Sequence, residues 1–135
     1  LEDAVQEKVV VHFRDGRLLK GYTSDLTPNK TSFRLTPVDW GGESQSIEVE
    51  SLKAVFFVKD FAGDSTYSEK KAFASDAPYA PGRVEFHMED GESLVGVVQD
   101  YQPDEAGFFL VPADPNSNNV RCFVVGKAIK RASLI

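Results

Sequence analysis

The chain has 135 residues, of which 41% are apolar and 27% charged, and its net charge is −6. That apolar share excludes a wholly disordered chain, and no apolar run approaches the ~20 residues that a membrane-crossing helix needs. The acidic balance argues against a protein whose affinity depends on neutralising phosphate. A single cysteine, Cys122, excludes an intrachain disulfide and a cysteine-rich zinc site. It fits a reducing compartment, so a cytoplasmic location is expected. No basic-then-apolar N-terminus marks a secretory signal. Leu1 in place of Met suggests an excerpt of a longer protein.

The first predicted strand carries Val9, Val11 and Phe13 in alternation with Val10, His12 and Arg14, the period of a half-buried strand. Asp15-Gly16 follows as a hairpin signal. Leu19, Gly21 and Thr23 alternate along a second strand, and 25–30, with Pro28 and Asn29, reads as a turn. Further strands are expected over 32–38, 46–50 and 52–59, the last mostly apolar. The segment 61–82 carries Gly63, Pro78, Pro81 and Gly82 and reads as a linker, with at most a short helix over 65–73. Strands over 83–88, 94–100, 108–112, 120–125 and 128–134 complete the chain, with a second hairpin at Asp90-Gly91.

The two ends of the chain resemble each other. His12-Phe13-Arg14-Asp15-Gly16 aligns with His87-Met88-Glu89-Asp90-Gly91. At the same separation of 75 residues Leu19 meets Leu94, Gly21 meets Gly96, Pro28 meets Pro103, Phe33 meets Phe108, and Pro37 meets Pro112. Turn formers and alternating apolar positions fix a backbone path, so the match implies a duplicated unit. Two copies are too few for a solenoid. The expected fold is all-β: two tandem five-stranded, strongly bent antiparallel small barrels at 1–60 and 83–135, joined by a linker at 61–82.

Gly16-Arg17-Leu18-Leu19-Lys20-Gly21, followed by Asp25, Asn29, Phe33 and Leu35, resembles the Sm-like proteins and, more broadly, the SH3-like small barrels. Gly91-Glu92-Ser93-Leu94-Val95-Gly96, with Asp100, Phe108 and Leu110, resembles them again. In the RNA-binding members an apolar-Arg-Gly motif helps to form the RNA pocket. The nearest segments here, Val49-Glu50-Ser51 and Val124-Val125-Gly126, lack the Arg. The tandem pattern is also similar to bacterial domains appended to larger proteins.

No residue set carries recognisable chemistry. His12 and His87 occupy matched positions and read as exposed or interface residues, since a metal site needs further ligands. Cys122, beside Arg121, reads as structural. Asp15, Asp25, Asp90, Asp100, Asp104 and Glu105 fall in turns, where Asp suits tight backbone geometry. Through residue 74 there are ten basic against twelve acidic residues, and from residue 75 five against nine, so neither half is basic. Phe56, Phe57, Phe61, Tyr67, Phe73 and Tyr79 flank or occupy the linker. They are the expected contacts with a partner or between the repeats.

The expected function is therefore a non-enzymatic protein-interaction or scaffolding module, part of a larger bacterial protein, that binds another protein or other domains of its parent chain. No catalytic residue, cofactor, metal, nucleic-acid partner or membrane is expected, and open edge strands offer a route to oligomers. The alternative is an Sm-like RNA-binding module, and a small-molecule sensor stands third.

Overall fold

The computed structural model describes residues 5–38, 43–78, 80–99, 102 and 104–135. The described residues form ten strands: β1 Glu7–Phe13, β2 Leu18–Thr23, β3 Ser32–Pro37, β4 Gln45–Glu48, β5 Leu52–Val58, β6 Arg83–Met88, β7 Ser93–Gln99, β8 Gly107–Pro112, β9 Asn119–Val125 and β10 Ile129–Leu134. Single 3-10 turns at Val49–Ser51 and Gly126–Ala128 lead into β5 and β10. The first hairpin closes because Gly16 takes a φ of 95°, where a side chain would be strained, and its N–H donates to the Phe13 carbonyl at 3.1 Å. The Asp15 carboxylate accepts the Arg17 N–H at 3.0 Å and fixes the turn. Gly91, at φ 94°, and Asp90 repeat this arrangement.

The strands form one antiparallel sheet in the order β10-β6-β7-β8-β9-β5-β1-β2-β3-β4. This corrects the expectation of two separate five-stranded barrels: the sheet is continuous and does not close. The reason lies in β5 and β9, which are apolar on both faces. Paired as Ala54↔Val124, Val55↔Phe123 and Phe56↔Cys122, they bury both faces at once. Val55, Phe57, Phe123 and Val125 enter a core with Val9, Val11, Phe33, Leu35 and Ile47. Ala54, Phe56, Cys122 and Val124 enter a second core with Val84, Phe86, Met88, Leu94 and Leu110. Separate barrels would have to expose one face of each strand, and a buried Phe or Val side chain contributes about 1.5–3 kcal/mol.

On either side of this seam the five strands follow the same order, and their registers correspond. Val11↔Leu19 matches Phe86↔Leu94, Gly21↔Pro37 matches Gly96↔Pro112, and Phe33↔Ile47 matches Phe108↔Val124. The last strand of each set bulges at the same point. His12↔Ala54 and Phe13↔Leu52 skip Lys53, as His87↔Arg131 and Met88↔Ile129 skip Lys130. From β4 and β9 onward the separation of matched residues is 77 rather than 75.

No helix forms over 65–73, which lies within the expectation of at most a short one; the segment runs through turns. Its polar groups bond locally and to the second half instead. Asp64 accepts the Thr66 N–H at 2.9 Å, and Asp114 on the β8–β9 loop accepts the Lys70 N–H at 2.8 Å, an amide that a helix would have used itself.

Two substitutions test the seam and the bends. A Cβ on Gly96 would lie 2.0 Å from the Val111 carbonyl oxygen, so Gly96→Ala is expected to cost about 1–3 kcal/mol in thermal denaturation. Phe123→Ala removes a fully buried ring that β9 lends to the first core. It is expected to cost about 3–5 kcal/mol and to lower a single calorimetric transition, with amide protection lost in β1 as well as β9. Two independent transitions, only one of them shifted, would contradict the shared cores.

Candidate functional site

β4 and β10 are the outer strands of the sheet. Beside β10 lies an open cleft of about 960 Å³, floored by Val84, Phe86, Val98, Phe108, Ile129, Ala132 and Leu134. The corresponding space in the first half is filled by Phe123 and Val125 from β9, with Phe109 packed against that core. Ala132 stands where β5 has Val55, and Leu134 where β5 has Phe57. Phe57 is 3% exposed and Leu134 is 88% exposed. The cleft is thus the second core without the strand that would complete it.

Charges ring this opening. Lys127, Lys130 and Arg131 line it together with Glu50, Asp104 and Glu105. Lys127 is bound to the Glu50 carboxylate. Lys130 and Arg131 form no ion pair among the described residues. Their counterpart Lys53 is only 8% exposed and is held by Asp90, at 2.7 Å, and by Glu92. Burial alone would depress the Lys53 ammonium, but the hydrogen bonds to Asp90 and Glu92 outweigh it and raise its pKa. The same bond to Lys53 holds the Asp90 carboxyl below the usual range. Arg14 reaches Glu89 with two hydrogen bonds, at 2.6 and 3.0 Å, and Arg121 reaches Glu7 at 3.0 Å. These pairs all tie one half to the other.

The structure places the expected site residues apart. Phe56 is buried in the second core with its ring edge-on to His12, 4.5 Å between centroids. Phe57 is buried in the first core, 6.0 Å from Phe109, with the Arg121 guanidinium 4.3 Å over its ring. Phe61 lies edge-on to Tyr22 of β2 at 5.5 Å, while Phe73 lies 4.1 Å beneath the Arg83 guanidinium of β6. Tyr67 donates its hydroxyl to Asp114. Tyr79 lies outside the described residues. The linker aromatics therefore dock on opposite halves, and strands rather than these rings form the seam.

Burial first, and then Lys53, lower the His12 pKa, so His12 is neutral in the seam near pH 7. Cys122 is 2% exposed, and burial above all pushes its thiol up, away from nucleophilic chemistry. Asp114 is 3% exposed and is held low, foremost by the Lys70 N–H and then by the Tyr67 hydroxyl. Among the described residues no group of three or more His, Cys, Asp or Glu is placed to hold a metal ion. Among the described residues no helix is long and apolar enough to cross a membrane.

Residues 5–135 match the model of a family of unknown function, DUF6982. The chain belongs to this family. No curated protein and no solved structure matches the chain. Of the residues at the cleft, Lys130 and Arg131 stand out in the sequence only as part of a short basic run with Lys127, too small to indicate nucleic-acid binding, and Ala132 and Leu134 do not stand out at all. A signal for them exists in the sequence. Lys53 and Lys130 each stand one residue beyond the start of the last strand in their half, and the separation of 77 hides their correspondence from an alignment at 75.

The seam charges give a pH dependence. Asp90 has a depressed pKa, so its contribution is present above the ordinary carboxylate range and is lost as pH falls below about 4. Lys53 has a raised pKa, so its contribution is present below about pH 10.5 and is lost as pH rises through the elevated folded value. Urea midpoints measured from pH 3 to 11 are expected to show both losses, and Lys53→Met should flatten both limbs. Unchanged limbs in the variant would show that other groups carry them.

Proposed function

We propose that the DUF6982 chain is a non-enzymatic protein-interaction module, built as a tandem repeat of two small, bent, Sm-like units fused through β5 and β9. The observation that carries this reading is the unpaired edge of β10 beside an apolar cleft. An edge strand offers backbone hydrogen bonds and a cleft offers specificity, the combination used in strand addition. The matched strand orders and registers support the repeat. The partner is a polypeptide, either a separate protein or another part of a longer parent chain, and a cytoplasmic setting accords with the single buried thiol.

The RNA-binding alternative finds less support at the same place. Lys127 is occupied by Glu50, and Asp104 and Glu105 face the opening, where phosphate would be repelled. A photo-crosslinking residue at position 133, introduced into the protein in its native host, tests the reading. Adducts that survive nuclease and vanish on protease treatment are expected, and they should be absent when the crosslinker stands at exposed position 5. Adducts digested by ribonuclease would overturn the proposal in favour of RNA.

A further inference from the structure

The chain contains a template for what β10 should bind. In the first half, the last strand β5 has its second edge covered by β9, antiparallel, with Val55 opposite Phe123 and Ala54 opposite Val124. Phe123 and Val125, two residues apart, enter the first core, and Val124 between them faces the other way into the second. β10 stands in the same relation to the second core, in the same register with the same bulge, and no described strand covers its second edge.

We infer that β10 receives an extended segment of a partner protein as an added antiparallel strand, with two apolar side chains flanking one acidic residue. This inference rests on the protein-interaction reading above. Transferring the β5–β9 register fixes the positions. The partner residue opposite Ala132 takes the place of Phe123, and the residue two further on takes that of Val125; both point into the cleft. The residue between them falls opposite Arg131, on the same face of the sheet. Where β5 has Ala54 and meets an apolar Val124, β10 has an exposed, unpaired arginine, so the matching residue is Asp or Glu. Lys130 adds a second positive charge to the same strand.

A second copy of this chain does not fit that register. Its free strand is β4, and the positions that would enter the cleft are Ser46 and Glu48 in place of Phe123 and Val125. Arg131 would lie opposite Ile47, whose side chain is buried in its own core. The outer strands thus differ from the inner seam at the positions that a head-to-tail contact would bury. Such contacts otherwise risk open-ended assembly.

The test uses the whole 135-residue chain and a capped peptide of residues 119–126 carrying Cys122→Ser and Val124→Glu, with a Val124→Lys peptide as its charge-reversed partner. Titration followed by fluorescence anisotropy and amide NMR is expected to show saturable binding with shifts in β10 and β6. The acidic peptide should bind about five- to tenfold more tightly than the basic one. Arg131 is exposed, so Arg131→Glu should fold normally, and in that variant the preference is expected to invert. A Phe123→Ser peptide should not bind. Binding without inversion, shifts confined to other strands, or no binding at millimolar peptide would overturn the inference. Position-133 adducts to protein would in that case leave the interaction reading standing, whereas their absence as well would remove both.

Discussion

The pairing of β5 with β9 is the constraint on which the rest of the structure depends. Each strand is apolar on both faces, and each face belongs to a different core. A strand of this kind cannot sit at the rim of a small unit without leaving Phe or Val side chains in water. Joining the two strands removes that exposure and gives each half side chains that the other half's sequence supplies. The first core is completed by Phe123 and Val125, and the second by Ala54 and Phe56.

The charges near the seam follow from the same geometry. Lys53 occupies a bulge of β5 beside the Asp90-Gly91 hairpin of the second half, and two carboxylates hold its ammonium there. Arg14–Glu89 and Glu50–Lys127 each join positions that correspond between the halves, with opposite charges on the two sides. Surface pairs of this kind add little stability individually. Their role is to set which faces meet, because a shift of one residue along β5–β9 would separate them and exchange the buried faces of both strands.

The outer edges show what the seam would become without a partner. β4 is short and polar, which blunts it as a template for pairing. β10 carries Lys130 and Arg131, charges that discourage pairing with itself, yet its inner face retains Ile129, Ala132 and Leu134 over an apolar floor. An edge whose charges disfavour pairing with itself but which keeps an apolar cleft is what the proposed uptake of a different, acidic strand requires. That is the physical basis of the proposed interaction site, and it uses the differences between the halves rather than their likeness.

Much of the fold was legible in the sequence. Period-two alternation, and for β5 a continuous apolar run, located the strands within a residue or two, because one face of most strands is buried and the other is not. The Asp-Gly pairs located both β1–β2 and β6–β7 hairpins, because only a residue without a side chain takes the required φ without strain. The linker was legible as turns with at most a short helix, but its anchor was not, since the Asp114 carboxylate that captures the Lys70 amide is 44 residues away in the chain. The aromatic residues around the linker were visible as a group, but their contacts lie on different halves and could not be sorted by composition. The apolar run of β5 marked a strand, but that both its faces are buried, and against what, came only from the fold. Sequence by itself determined the strands, the turns and the likeness of the two halves, all of which depend on neighbours along the chain. Only the tertiary structure decided that the halves share one sheet and that the cleft beside β10 stays open, because both depend on which distant strand fills an edge.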